Sequence, residues 1–269
     1  MRLGYNSLTY GAQKIREYEK ETGYHVPWTL VFDLRQETDN KLSASEISDI
    51  LLQGETIGIY CVMLMVNQNQ FFLEELIEMM SAHKDSASFI FALPEAITHA
   101  SADAIIKSGN IAVVLATPTD DDKQSFMEAA GILMEKKCLY GAYICYGDHN
   151  FEQAVKTTYS PELEDTHCYF VFLINEGLTI ANNKKHFSHI IQRSKSANEY
   201  PFFLFDLYEG LAHVARTISG VDCFLAIKST GELAVKNMTE QHQCINIRNY
   251  SLQTILEKTM PKISIYKQN

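Results

Sequence analysis

Residues 20–70 read KETGYHVPWTLVFDLRQETDNKLSASEISDILLQGETIGIYCVMLMVNQNQ, and their order decides the fold. Val26 to Leu34 is apolar with β-branched residues, which predicts a buried strand. Arg35 to Lys41 holds no apolar residue and reads as a loop. Ser43-Ala44-Ser45-Glu46 offers a capping box, Ser at N-cap and Glu at N3, so a helix is expected from there to about Ile57. Gly58 ends it, and Ile59 to Val66 is a second buried strand. The unit is strand, loop, helix, strand.

Outward from this unit the alternation continues. Ala12 to Lys20 precedes it as a helix closed before Gly23. Phe71 to Ser81 has apolar residues at helical spacing, with Glu74, Glu75 and Glu78 outward. Ser88 to Leu93 is a strand, and Pro94 opens a helical stretch to Ser108 with Gly109 as C-cap. Ile111 to Thr117, Leu139 to Tyr146, His167 to Ile174 and Pro201 to Leu207 read as strands. Asp120 to Lys137 and His186 to Ser196 read as helices between them, and Phe151 to Glu162 as a helix or a helix followed by a loop. Strands alternating with helices indicate parallel βαβ units, six or seven of them before residue 207. That pattern alone admits a doubly wound sheet, a full barrel or a partial barrel. Cys223 to Val235 then reads as a β-hairpin turning at Thr230-Gly231, and residues 245–257 as a short strand and a Ser-initiated helix.

The segment order resembles the radical S-adenosylmethionine (SAM) family. Members of one branch open with Tyr-Glu-Lys-x-Thr-Gly-x-x-Val-Pro, which here is Tyr18-Glu19-Lys20-Glu21-Thr22-Gly23-Tyr24-His25-Val26-Pro27. The last sixty residues are similar to the SPASM or twitch extension of that family. They carry Ser229-Thr230-Gly231-Glu232 as the hairpin turn and Ile245-Asn246-Ile247-Arg248-Asn249-Tyr250-Ser251-Leu252-Gln253-Thr254-Ile255 after it. The resemblance implies a six-stranded partial barrel, a (β/α)6 arrangement, over residues 1–207, and a SPASM/twitch-like extension over residues 208–269.

The family's chemical motifs are missing from this frame. Where the resemblance places CxxxCxxC for a [4Fe–4S] cluster, the first loop reads Arg35-Gln36-Glu37-Thr38-Asp39-Asn40; Arg35, Glu37 and Asp39 stand at degenerate cluster positions. Where it places Gly-Gly-Glu-Pro for the SAM methionine amine, the chain reads Asn67-Gln68-Asn69-Gln70, which lacks the carboxylate and adds side chains where glycine lets the backbone approach. The auxiliary-cluster positions align with Thr217 and Lys236, neither a thiolate. The resemblance therefore implies a cluster-less pseudoenzyme without radical SAM activity and with no cofactor, whose partner is an active radical SAM enzyme or a ribosomal peptide. Exposed edges of a partial barrel make strand addition of a peptide the expected mode. The alternative is a cluster-free enzyme, or a binder of SAM or another small ligand, using polar residues at the barrel mouth.

For that alternative the candidates are Asp33 and Asp206, each closing a strand, and His149 after Tyr146-Gly147-Asp148. The structural reading of the two aspartates is that they cap helices or satisfy loop amides. Asp120-Asp121-Asp122 stands at a helix start, where acids are expected anyway. His186 and His189 are three apart with no second ligand pair. Met63-Leu64-Met65 reads as core. There is no GxGxxG, P-loop or GxSxG.

Composition narrows the classes further. The 269 residues are 46% hydrophobic, enough for one α/β domain or one domain plus an appendage. A net charge of −10 and the lack of a basic stripe argue against nucleic acid as a partner. No apolar run reaches the ~18–20 residues of a membrane span, and the amino terminus has no long apolar core, so a cytoplasmic protein without a membrane partner is expected. The six cysteines, at 61, 138, 145, 168, 223 and 244, form neither CxxC nor CxxxCxxC and read as reduced, buried residues.

Overall fold

The computed structural model describes residues 3–66, 70–117, 123–158, 161–176, 185, 188, 202–234 and 245–263. Two compact units are formed. The first combines Met1–Asn67, Glu75–Ser88 and Leu211–Asn269; the second combines Gln68–Glu74 and Phe89–Gly210.

The first unit starts with a π-helical stretch, Leu3–Gly11, that runs into α1 (Ala12–Thr22). Gly23, at φ +77°, closes α1. The Tyr-Glu-Lys-x-Thr-Gly segment then acts as the joint that feeds β1 (Thr29–Asp33). The buried Glu19 carboxylate accepts the Val26 N–H at 2.9 Å and lies 3.3 Å from His25 Nδ1. Residues near the end of the chain complete the joint: His25 N–H donates to the Pro261 carbonyl and Ile263 N–H to the Gly23 carbonyl, both at 2.9 Å.

The capping box of α2 (Ala44–Ile57) forms as expected. Glu46 N–H donates to Ser43 Oγ at 3.2 Å, and Ser43 N–H to the Glu46 carboxylate at 2.8 Å. Ile47, Ile50, Leu51, Gly54 and Ile57 form its buried face, the spacing of an amphipathic helix. β2 (Cys61–Met65) is buried along its whole length, as a parallel strand covered on both faces must be. It pairs with β1 from Thr29–Cys61 to Asp33–Met65.

On the other side of β1 lies β8 (Leu225–Lys228), also parallel, with Asp33 opposite Lys228. β9 (Leu233–Ala234) folds back on β8 through Gly231, at φ +85°. The order in this unit is therefore β2-β1-β8-β9, and the hairpin continues the sheet. Strand addition at β9 is closed off. Residues 245–247 already lie along it, with Leu233 N–H on the Ile245 carbonyl at 3.2 Å and Ile247 N–H on the Gly231 carbonyl at 2.9 Å.

The second unit holds β4 (Ile111–Ala116), β5 (Tyr140–Tyr146), β6 (Phe170–Asn175) and β7 (Phe203–Asp206), parallel neighbours in that order. β3 (Ala87–Ala92) begins in the first unit, where Ala87 N–H donates to the Tyr60 carbonyl at 2.8 Å, and ends in the second beside β4. Among the described residues of the whole chain the further helices are α3 (Gln70–Ala82), α4 (His99–Ser108), α5 (Lys123–Glu135), α6 (Phe151–Thr157), α7 (Pro161–Asp165), α8 (Leu207–Ser219) and α9 (Leu252–Thr259). α4 departs from expectation: Pro94–Ala96 is a separate 3-10 turn, and the helix starts after Thr98, which forms a capping box with Ser101. Of the stretch read as a helix or helix and loop, Phe151–Thr157 is α6, and Pro161–Asp165 is α7.

Aromatic rings fill one face of the second unit's sheet. Phe89 on β3 meets Phe170 and Phe172 on β6 at 5.9 and 5.8 Å, and Phe91 meets Phe172 at 5.5 Å. In a flat sheet three strand spacings would separate them by about 14 Å. The sheet curls here, and Val114, Ala116 and Gly141 on the intervening strands leave room for the rings. No helix among the described residues is long and apolar enough to cross a membrane.

Candidate functional site

The loop after β1 is where the sequence expectations concentrate. Asp33 closes the strand and is met by Arg35 of its own loop. The guanidinium grips both carboxylate oxygens at 2.9 Å, and the Arg35 N–H approaches Oδ1 at 3.3 Å. Partial burial would raise this carboxyl, but the Arg35 contacts outweigh it and hold the acid below its ordinary range. Gln36, Glu37 and Asp39 are exposed beyond it.

A second arginine holds the far end of the loop. Arg248 donates to the Asn40 carbonyl at 3.0 Å, to the Asn40 side chain at 2.9 Å and to the Lys41 carbonyl at 2.9 Å. It also grips the Glu46 carboxylate and reaches the Thr230 carbonyl at 3.3 Å. These contacts, with the capping box, pull the Glu46 acid down to about 2. Leu42 N–H donates to the Ser229 carbonyl at 2.8 Å, and Ser229 Oγ donates to the Asp33 carbonyl at 3.3 Å. The loop is thus tied to the hairpin turn at both ends. Sequence reading placed Arg248 in the segment Ile245 to Ile255 without a role. Its partners in the loop and α2, Asn40, Lys41 and Glu46, lie more than two hundred positions earlier, so no local pattern marks it.

Asp206 sits differently. It is 7% exposed; Oδ1 accepts the Glu209 N–H at 2.8 Å and Oδ2 the Tyr146 hydroxyl at 3.3 Å. It caps α8, the structural role weighed for it from sequence. Burial and the neighbouring Asp206 push the Tyr146 phenol far above its ordinary value. His149 is exposed in the turn after β5, where Asn150 Oδ1 accepts the Gly147 N–H at 2.8 Å. Each aspartate is engaged within its own unit. Asn67, Gln68, Asn69, Asp120, Asp121, Asp122, His186, His189 and Lys236 lie outside the described residues. Thr217 lies in α8, its hydroxyl donating to the His213 carbonyl at 3.0 Å.

A [4Fe–4S] cluster needs thiolates, and the described residues do not fit one. Residues 34–42 contain no cysteine. Cys61 stands opposite Thr29, at the start of β1, about four residues or ~13 Å from the loop. Cys223 Sγ faces the Val26 carbonyl, farther back along the chain from Asp33. Burial pushes the thiols of Cys61 and Cys223 up to about 12 and those of Cys138 and Cys168 up to about 11, which keeps them protonated.

No family model and no curated protein matches the chain. Solved structures do. Streptococcus suis SuiB bound to S-adenosylmethionine is similar over 91% of this chain and 69% of its own, with 14% identity and a TM-score of 0.64. SuiB bound to the precursor peptide SuiA matches over 92% and 69%, with 13% identity and a TM-score of 0.65. The anSMEcpe structure with bound AdoMet and Cp18Cys peptide matches over 86% and 80%, with 11% identity and a TM-score of 0.55. The chain has a radical SAM-like fold. It is α/β, of the partial-barrel type, with the hairpin and α9 following the barrel strands.

Proposed function

We propose that this chain is a cluster-less radical SAM-like protein that serves as a binding or accessory protein for a peptide substrate or an active radical SAM partner. The observation that carries this reading is the loop after β1. It contains no thiol, and its two ends are held by the chain itself through Asp33–Arg35 and the Arg248 fork. A loop tied down by charge-assisted hydrogen bonds is a fixed structural element. Peptides bound to SuiB and anSMEcpe support a peptide as the partner. On this reading residues 208–269 are a SPASM/twitch-like extension without cluster cysteines, and the protein works in the cytoplasm with no cofactor.

The alternative, a cluster-free enzyme or SAM binder built on Asp33, Asp206 and His149, has less support. Asp33 is neutralised by Arg35, and Asp206 is spent on a helix cap. The test is anaerobic reconstitution with iron and sulfide, followed by metal analysis and SAM calorimetry. The expected outcome is iron at background and no heat of SAM binding. Near-stoichiometric iron would overturn the reading, and tight iron-free SAM binding would move it to the alternative.

A further inference from the structure

A second constellation lies away from that loop, on α2 and the turn between α3 and β3. His83 is 4% exposed. Its Nδ1 lies 3.0 Å from Glu55 Oε1, and its Nε2 lies 2.8 Å from Ser48 Oγ. Glu55 Oε1 also accepts the Ser86 hydroxyl at 2.6 Å. Ser48 is half-buried, while the histidine behind it is closed off from solvent.

The roles follow from the donors available. An ionised carboxylate only accepts, so in the neutral imidazole Nδ1 carries the proton and Nε2 accepts the Ser48 hydroxyl. Hydrogen bonds from His83 and Ser86, opposed by burial, keep the Glu55 acid below its ordinary range. Lys14 Nζ, on the Glu55 carbonyl at 2.8 Å, adds a positive charge on the same side.

The geometry points to Ser48 as an activated nucleophile, with His83 as its base and Glu55 as the group that orients the base, accepting an acyl group from a small activated ester. The arrangement has both hydrogen bonds of a nucleophile–base–carboxylate relay. In the step, Ser48 Oγ attacks the carbonyl carbon and its proton passes to His83 Nε2. The donor's ester bond breaks, and the leaving alcohol takes that proton from the imidazolium. One ester is exchanged for another, with no oxidant or reductant. Ser48 lies inside α2, where its own N–H belongs to the helix and is not free to hold an oxyanion. The outcome is one covalent transfer per chain, without turnover. This inference is independent of the accessory-protein reading, because none of its residues belongs to the β1 loop.

The test treats the full chain with a fluorophosphonate, whose fluoride leaves as the phosphorus joins the serine oxygen, and locates the label by peptide mass spectrometry. Ser48 is expected to label about a hundredfold faster than the other serines, and Ser48→Ala to lose that label. A second variant, Ser48→Cys, is read by iodoacetamide alkylation against pH. The raised thiols of Cys61, Cys138, Cys168 and Cys223 add little background, and peptide mapping separates alkylation at Cys145 and Cys244 from that at position 48. A cysteine activated by His83 alkylates with a midpoint well below the ~8.5 of a free thiol. Absence of label at Ser48 in the wild type, or an ordinary thiol midpoint in Ser48→Cys, overturns the proposal.

Discussion

Two aspartates end two parallel strands, and their surroundings make them different groups. Asp33 keeps a third of its side chain in solvent (33%) and is matched by an arginine two residues on. Asp206 is 7% exposed and holds a tyrosine hydroxyl and a helix N–H. The part-buried ion pair at the surface adds little stability, because water still solvates both partners when it breaks. The buried aspartate adds more, because its removal takes an acceptor from the buried Tyr146 hydroxyl and the cap from α8. A carboxylate at a strand end is therefore no site by itself; what surrounds it decides whether it is spent.

The sharpest way to break this contrast is Asp206→Ala. It removes the α8 cap and the acceptor for Tyr146, and about 3 kcal/mol of unfolding free energy should be lost in urea titrations. A loss below about 1 kcal/mol would mean Asp206 is replaceable and the contrast false.

Next comes Arg248→Ala, which frees the loop that Asp33 begins. About 2 kcal/mol is expected, with Arg248→Lys recovering only part, since a lysine does not reproduce the fork. The same pair sets a pH signature. Glu46 is held at about 2 in the fold against an ordinary 4.5, so its contribution is full above 4.5 and is lost as pH falls towards 2. The stability gap between wild type and Arg248→Ala should narrow across that window. A gap that stays constant in acid denaturation curves would sink the assignment to Glu46.

Gly231→Ala is the third test. Its φ of +85° and the Asn246 Oδ1, 2.7 Å from where a Cβ would stand, predict a cost of about 1.5 kcal/mol, measured by thermal unfolding. The smallest effect belongs to Asp33→Asn: less than about 1 kcal/mol at neutral pH. A larger change would show that the Asp33–Arg35 pair holds the loop more strongly than the Arg248 fork does.

Much of the frame was legible because its signals are local. Ser43 and Glu46 are three residues apart and announce α2; Gly58 ends it with φ +102°. The apolar runs at Val26 to Leu34 and Ile59 to Val66 contain β1 and β2, with the strands shorter than the runs. A helix cap was the structural role weighed for Asp206, but α8 itself was not read from the sequence. The start of α4 was not legible because its capping box pairs Thr98 with Ser101 rather than with Glu or Gln, and Pro94 places the boundary five residues early. Arg248 was not legible, since its partners at Asn40, Lys41 and Glu46 are brought to it only by the finished sheet. His83, Ser48 and Glu55 belong to two elements whose spacing matches no motif.

The placement of β8 beside β1 has a consequence for biosynthesis. Roughly 190 residues separate the end of β1 from its second neighbour, β8. At about 5–20 residues per second, a ribosome takes ~10–40 s to deliver it. Throughout that interval one edge of a strand with an apolar centre, Leu30-Val31-Phe32, has no final partner, which is the state most open to pairing with another nascent chain. Messenger variants that stall translation before residue 225 should therefore produce aggregates, and slow decoding after that point should be harmless.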